Sequence, residues 1–363
     1  MMFKIVLCLL FFCGSYSFSF SYSIFFPSSQ NYEPVSKPLN IEFPLDHGPH
    51  KDHAIEWWYI TANLIDENSQ VFGIQWTLFR SAINNDSNTK EVLKEENTPY
   101  WNDNQIWMGH AAVTSENIHY FEEKLARGGT GQSGVKGNKF LAWIDDWYLY
   151  GEKDWSNIKI HASGKKFQYS LNLVANGPII LHGDNGYSQK TKEGHSSAYY
   201  SQPFFKVDGK VLIDDDTFLV KGSAWADREW SSSILGPNQE GWDWFSLHLD
   251  TGEKLMVFRV RNKGPTEYYS GTLITKEKKI INLKNSEIII TPLTFNVRKK
   301  KTTLVSSETP MKWRIEIKNQ DIKIITSPIN NKAYNDTLIP YWEGPISFNG
   351  SHKGFGYLEM TGY

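Results

Sequence analysis

The sequence predicts an all-β chain built from two copies of one β unit, and three observations carry that expectation. Helix-period patterns are scarce, whereas short alternating runs bounded by Gly, Asn, Asp and Pro recur from residue 56 to the C-terminus. Two hairpins resemble each other: Trp57 to Ile65 joined across "DENSQ" to Val71 to Arg80, and Trp242 to Leu249 joined across "DTGE" to Lys254 to Arg261. The ends of the two halves also match, "YYSQPFFKVDG" (199–209) with "YWEGPISFNG" (341–350), and "SAWADREW" with "FGYLEMTGY". Placing Trp57 on Trp242 sets Tyr59 on Trp244, and the second match sets Trp225 near Tyr357 and Asp227 near Glu359. A match at each end of each half argues for a tandem duplication. The repeated unit is an up-and-down barrel or a strongly curved sandwich, because open edges over so many strands would invite aggregation.

A chain of 363 residues suits two domains of roughly 150 residues each. The pattern breaks at "SSSILGPNQE" (231–240), which divides a first unit, 40–232, from a second, 233–363. Residues 1–17 read as a signal peptide: Lys4 supplies a positive n-region, "IVLCLLFFC" is an apolar stretch too short to span a bilayer, and Ser15-Tyr16-Ser17 offers small residues for cleavage. Residues 18–39 are then a linker. A lipoprotein anchor through Cys13 fits less well, because Phe12 stands where a small residue is required. Both cysteines, Cys8 and Cys13, lie in this segment, so the expected mature protein has neither a disulfide nor a thiolate ligand. The expectation is an exported protein, periplasmic or secreted, with no transmembrane segment in the mature chain.

Hydrophobic residues at 40% and charged residues at 21% make a folding composition, and aromatics at 15%, including 14 Trp, are its unusual feature. A net charge of −2 provides no global field for nucleic acid or an anionic membrane. The one dense basic run, Arg298-Lys299-Lys300-Lys301, reads as a solvated hairpin tip.

In "EWWYITANL" (56–64) strand alternation puts Trp57, Tyr59 and Thr61 on one face and Glu56, Trp58 and Ile60 on the other. One aromatic set packs the barrel and the other faces the second unit or a ligand. Just upstream, Asp46, His47, His50, Asp52 and His53 supply metal-ligand types, but their spacing fits no standard site and no metal is assigned. A hydrogen-bonded network closing one barrel mouth, with Glu56 as its buried partner, suits the loop better; His47, His50 and Glu56 are also candidate acid or base groups. Arg80 and Arg259 are expected to stack on Trp57 and Trp242 as barrel-closing scaffold. His110, His182 and His248, each taken alone, read as structural. "ARGGTGQSG" (126–134) lacks a phosphate loop's context and reads as a flexible turn or lid, and no nucleophile elbow is present.

Five motifs, "FPLDHGPHKDHAIEWWYITANL" (43–64), "LHGDNGYSQK" (181–190), "GSAWADREWSS" (222–232), "GWDWFSLHLDTGEKLMVFRVR" (241–261) and "YWEGPISFNGSHKGFGYLEMTGY" (341–363), resemble the AttH-like and carotenoid 1,2-hydratase (hydroxyneurosporene synthase) family over residues 40 to 363. The resemblance implies two tandem lipocalin-like, calycin-type antiparallel β-barrels. It also implies a range of activities: hydration of acyclic carotenoids, association with an ABC export system, and polyene cyclisation. Asp227 is the acid candidate, since burial between Trp225 and Trp230 disfavours its charged form. The resembling hydratases read Asp-His-Asn-Trp where this chain reads Asp227-Arg228-Glu229-Trp230. Arg228 in the histidine's place would lower the aspartate's pKa, which leaves open a cavity-facing acid or a junction aspartate paired with Arg228.

Together the residues and the resemblance describe a binder of a hydrophobic small molecule, a lipid or isoprenoid, without cofactor. Its walls are expected to be Trp58, Tyr59, Trp225, Trp230, Trp242, Trp244 and Tyr357, and its catalytic candidates are Asp227, Arg228, Glu56 and His50. As an enzyme it would be a hydratase (hydro-lyase) or hydrolase-like, acting by acid-catalysed hydration or isomerisation. The alternative is a non-catalytic carrier or an accessory of an ABC-type envelope transporter.

Overall fold

A computed structural model describes residues 32–83, 103–137, 139–233, 235–236, 238–264, 266–299 and 306–363. The expected signal segment 1–17 with Cys8 and Cys13, most of the expected linker, and Lys300 and Lys301 of the basic run lie outside these residues. Among the described residues there is no α-helix, and none long and apolar enough to cross a membrane.

The first half contributes β1 (Ile55–Asp66), β2 (Val71–Ala82), β3 (Gln105–Thr114), β4 (His119–Arg127), β5 (Ser133–Lys136), β6 (Phe140–Ile144), β7 (Trp147–Gly151), β8 (Asn157–Ser163), β9 (Phe167–Ala175), β10 (Ile180–Leu181), β11 (Tyr187–Gln189), β12 (Ser196–Ile213) and β13 (Asp216–Ser233). These form one antiparallel sheet in the order β4-β3-β2-β1-β13-β12-β9-β8-β7-β6-β5, with β10 and β11 paired to β12, curled into a nearly closed barrel. The second half contributes β14 (Gln239–Leu249), β15 (Lys254–Asn262), β16 (Tyr268–Ile274), β17 (Ile280–Leu283), β18 (Ile288–Lys299), β19 (Ser306–Ile317), β20 (Ile322–Pro328), β21 (Tyr334–Asn335), β22 (Tyr341–Gly350) and β23 (Gly354–Thr361). Their order, β17-β16-β15-β14-β23-β22-β20-β19-β18 with β21 on β22, makes a half-barrel and not a second full one. Its edge β17 is only four residues long, and no hydrogen-bonded ladder joins it to β18.

The duplication appears in the register. Tyr59 of β1 lies opposite Asp227 of β13, as Trp244 of β14 lies opposite Glu359 of β23. One strand further, Ser201 lies opposite Asp227 and Glu343 opposite Glu359. Each hairpin carries its pattern with period two, so one face fills its own core while the other meets the sister unit. Trp58, Ile60, Trp76 and Trp230 belong to the first core, and Phe245, Leu247, Trp313 and Trp342 to the second. A third cluster between the sheets holds Tyr59, Tyr199, Trp225, Trp244, Phe258 and Tyr357. The close approach requires Gly73 of β2: a Cβ there would sit 2.5 Å from the Pro345 ring of β22.

One end of the first barrel is closed by the loop before β1. Glu56, completely buried, pairs with both Arg80 and Arg228, and both its oxygens accept from the His50 backbone N–H at 3.0 Å. His50 stacks on Trp230 at 3.8 Å and reaches Asp46 at 3.0 Å. Burial pushes the Glu56 carboxyl up, but Arg80, Arg228 and His50 outweigh it and hold it well below the usual carboxylate range. The expected arginine stacks are replaced by others. Arg80 opposes Glu56, on the opposite face from Trp57, and it is Arg228 that lies over Trp58 at 3.8 Å. Likewise Arg259 stacks on Trp313 at 4.8 Å, not on Trp242, and pairs with Asp243 at 2.7 Å.

Candidate active site

The site follows from the outer faces of the two sheets. Alternation on β1 sends Trp57 and Tyr59 outward, on β13 Asp227 and Glu229, on β14 Trp242 and Trp244, and on β23 Glu359. Where these faces meet they leave a solvent-open cleft between the two sheets. Phe79, Met108, Leu235, Phe258 and Val260 complete an apolar wall, interrupted by Lys190, His110, Tyr199 and Tyr341.

Asp227 is the most constrained polar group in that wall. Three donors converge on its Oδ1: the Trp225 indole N–H at 2.9 Å, the Tyr199 hydroxyl at 3.1 Å, and the Ser201 hydroxyl. No hydrogen bond among the described residues goes to Oδ2. The carboxyl is raised to about 7, chiefly by burial and further by the nearby Glu229 charge, against the downward pull of its three donors. A proton on this group therefore resides on Oδ2, since Oδ1 is occupied by donors. Behind Ser201 stands His182, 2.6 Å from its hydroxyl and 2.9 Å from Thr272 of the second unit. Burial pushes His182 down to about 3, so it is neutral, and the network assigns its proton to the nitrogen facing Ser201.

The sister position repeats the arrangement with different residues. Glu359 Oε1 accepts from the Trp242 indole at 2.8 Å, and burial lifts this carboxyl too to about 7, with Glu229 adding to the rise. Its strand partner Glu343 is buried, takes the Tyr59 hydroxyl, and is raised well above the usual range by burial and by Glu359. The hydrogen bonds cross between the units: Tyr59 reaches Glu343, Trp244 reaches Tyr199 at 3.1 Å, and His110 lies 2.8 Å from Tyr341.

Over residues 34–363 the sequence matches the model of the AttH-like family. The chain belongs to that family. Among solved structures, one assigned to AttH from Nitrosomonas europaea superposes with a TM-score of 0.78 at 29% identity, covering 91% of this chain and 99% of its own. Kievitone hydratase from Nectria haematococca gives 0.66 at 14% identity (93% and 98% covered), and CghA with Sch210972 gives 0.55 at 10% (93% and 97%). These last two share the fold alone. A search of curated proteins finds no match.

Against this geometry the sequence-derived site divides in two. Asp227, Tyr59, Trp242 and Trp244 line the cleft of this AttH-like protein, and Trp225 and Tyr357 stand in the adjoining interface cluster. Trp58 and Trp230 do not: both lie in the first barrel's core, beneath Arg228. Arg228, Glu56 and His50 are likewise absent from the cleft, engaged with one another in the barrel plug. The expected effect of Arg228 on Asp227 is therefore corrected, because adjacent strand residues point to opposite faces and Arg228 spends its charge on Glu56. No group of three or more His, Cys, Asp or Glu among the described residues is placed to hold a metal. Among the residues that sequence reasoning did not assign to the site are Lys190, Tyr199, Glu229, His110, Tyr341 and Glu359. Glu359 was marked only by its alignment with Asp227.

Proposed function

We propose that this AttH-like protein is an exported acid catalyst that binds an apolar, unsaturated lipid or isoprenoid between its units and hydrates it or moves its double bond. The observation that carries this reading is the Asp227 carboxyl, held by three donors on one oxygen and left with the other unbonded in an aromatic wall. From Oδ2 the proton passes to an alkene carbon, leaving a carbocation that the faces of Trp57, Trp242 and Trp244 stabilise. In hydration, water adds to the cation and Glu359 as carboxylate takes the proton that the water loses. In isomerisation Glu359 removes a proton from the neighbouring carbon; in either case Glu359 then releases the proton it gained to solvent and Asp227 takes one back from solvent, which restores both groups. Two carboxyls titrating near 7 make the state with one acid and one base abundant at neutral pH. The apolar stretch at 5–13 supports export.

The test is incubation of the protein and its Asp227→Asn variant with envelope lipid extracts in D2O, read by mass spectrometry. Wild type is expected to yield deuterium-containing products, hydrated or isomeric, and the variant none while still binding Nile red. Conversion at the wild-type rate by the variant refutes the assignment. The predominantly apolar wall also suits a carrier, the second reading, in which bound lipid returns unchanged from both proteins.

A further inference from the structure

Lys190 follows β11 at the base of a short hairpin. Its backbone N–H donates to the His195 carbonyl at 2.7 Å, and the Thr191 hydroxyl and the His195 ring, 2.8 Å apart, pin the turn. This fixes the side chain over the interface, where the ammonium sits 4.7 Å from the Tyr199 ring centroid and 4.5 Å from that of Phe258. The side chain is 8% exposed, and its ion-pair partner is Glu229 at 2.7 Å, itself held by the Ser197 hydroxyl. An ammonium carries three N–H donors. Glu229 takes one, and among the described residues no other hydrogen bond reaches Nζ.

A lysine this deeply buried with spare donors is costly unless something accepts from them. Both Lys190 and Glu229 line the same cleft as Asp227, and Tyr199 links them: its ring lies under the Lys190 ammonium while its hydroxyl touches Asp227. The charge around the position limits what can accept. Three carboxyl groups, Asp227, Glu229 and Glu359, line the cleft with this single lysine, so a further anion would meet more acid than base. A neutral oxygen meets no such opposition.

On the basis of the apolar-ligand reading above, we propose that the ligand is an amphiphile whose neutral oxygen, a hydroxyl or carbonyl, seats on Lys190 Nζ, with the Lys190–Glu229 pair as its specificity determinant. The hydrocarbon part runs along Trp57, Trp242 and Trp244, and the anchored oxygen fixes which carbon stands at Asp227. A pure hydrocarbon lacks that anchor, and a fatty acid brings the wrong charge.

Displacement of Nile red by farnesol, farnesoic acid and farnesene at pH 8 tests this, using the mature protein and a Lys190→Met/Glu229→Gln double variant that removes both charges together. Circular dichroism and thermal unfolding establish that the variant is folded, and Lys190→Arg, which keeps charge and donors, provides a second readout if it is not. Wild type is expected to bind farnesol about tenfold more tightly than farnesoic acid, and the double variant to lose about tenfold for farnesol while binding farnesene unchanged. Unchanged farnesol affinity in the double variant, or a wild-type preference for the acid, overturns the proposal and leaves the apolar cavity standing. Failure of Nile red and all three probes to bind wild type defeats the cavity reading itself.

Discussion

Asp227 and Arg228 are neighbours in the chain and opposites in environment. Arg228 turns into the first barrel, where Glu56, the Gly48 carbonyl and the faces of Trp58 and Trp230 surround it. Asp227 turns outward, where three neutral donors hold one of its oxygens and, among the described residues, no cation is hydrogen-bonded to it, the Lys190 ammonium of the same cleft being paired with Glu229. Both Glu56 and Asp227 are buried carboxyls, yet one is held far below the usual range and the other raised to about 7. Burial alone therefore sets neither value; the partner decides. A carboxylate given two guanidiniums is a structural plug, whereas one given only indole and hydroxyl donors keeps a proton that can be transferred.

The largest effect should come from breaking the plug. Arg228→Met leaves Glu56 with one arginine and removes the stack on Trp58, which should cost about 3–5 kcal/mol in urea unfolding. The same variant should leave the titration of Asp227 unchanged, and a shift of more than a unit would mean that the two faces are coupled.

The pH dependence of stability sharpens the contrast, since the two carboxyls should act with opposite sign. The unfolded chain gives up an aspartate proton near ~3.9, whereas the folded protein keeps that of Asp227 to about 7. Stability is therefore lost as pH rises between these values, by at most about 1.4 kcal/mol per unit, and levels above them. Asp227→Asn should remove that slope, and Glu359→Gln a similar one. Glu56 behaves inversely: its contribution is present above its unfolded pKa of ~4.3 and is lost as pH falls below it. Denaturation midpoints from pH 3 to 9 would show both limbs.

Smaller effects test the interface that makes the outer face distinctive. Gly73→Ala drives a methyl against Pro345 and should cost about 1–3 kcal/mol, loosening the contact between the units. Trp244→Phe removes one indole N–H from Tyr199 and should cost only about 0.5–1.5 kcal/mol. A larger loss for Trp244→Phe than for Gly73→Ala would mean that the indole contact, and not the close backbone approach, holds the units together.

Much of this was legible in the sequence. The hairpin match located both strand pairs, and the alignment of Asp227 with Glu359 appears in the register of both sheets. Alternation in "EWWYITANL" separated Trp57 and Tyr59 from Trp58. The same rule applied to "WADREW" separates Asp227 from Arg228, and that signal was available although pairing of neighbours looked more natural. Tyr59 with Glu343 and His182 with Thr272 were not legible, because they join positions 284 and 90 residues apart across an interface that local patterns do not encode. Lys190 carried no signal, since a lysine after a short turn ordinarily points to water. Nor did any pattern show that the second unit stops at a half-barrel, which depends on the short edge β17.

The central claim is that Asp227 gives up its proton only near neutral pH, far above an ordinary aspartate, while facing the cleft. The most direct measurement is a carbon-13 NMR titration of protein labelled at aspartate carboxyls, compared with the Asp227→Asn variant. A resonance titrating near pH 7 in wild type and missing from the variant is the result expected. An Asp227 resonance that titrates at or below the ordinary ~3.9 would contradict the account.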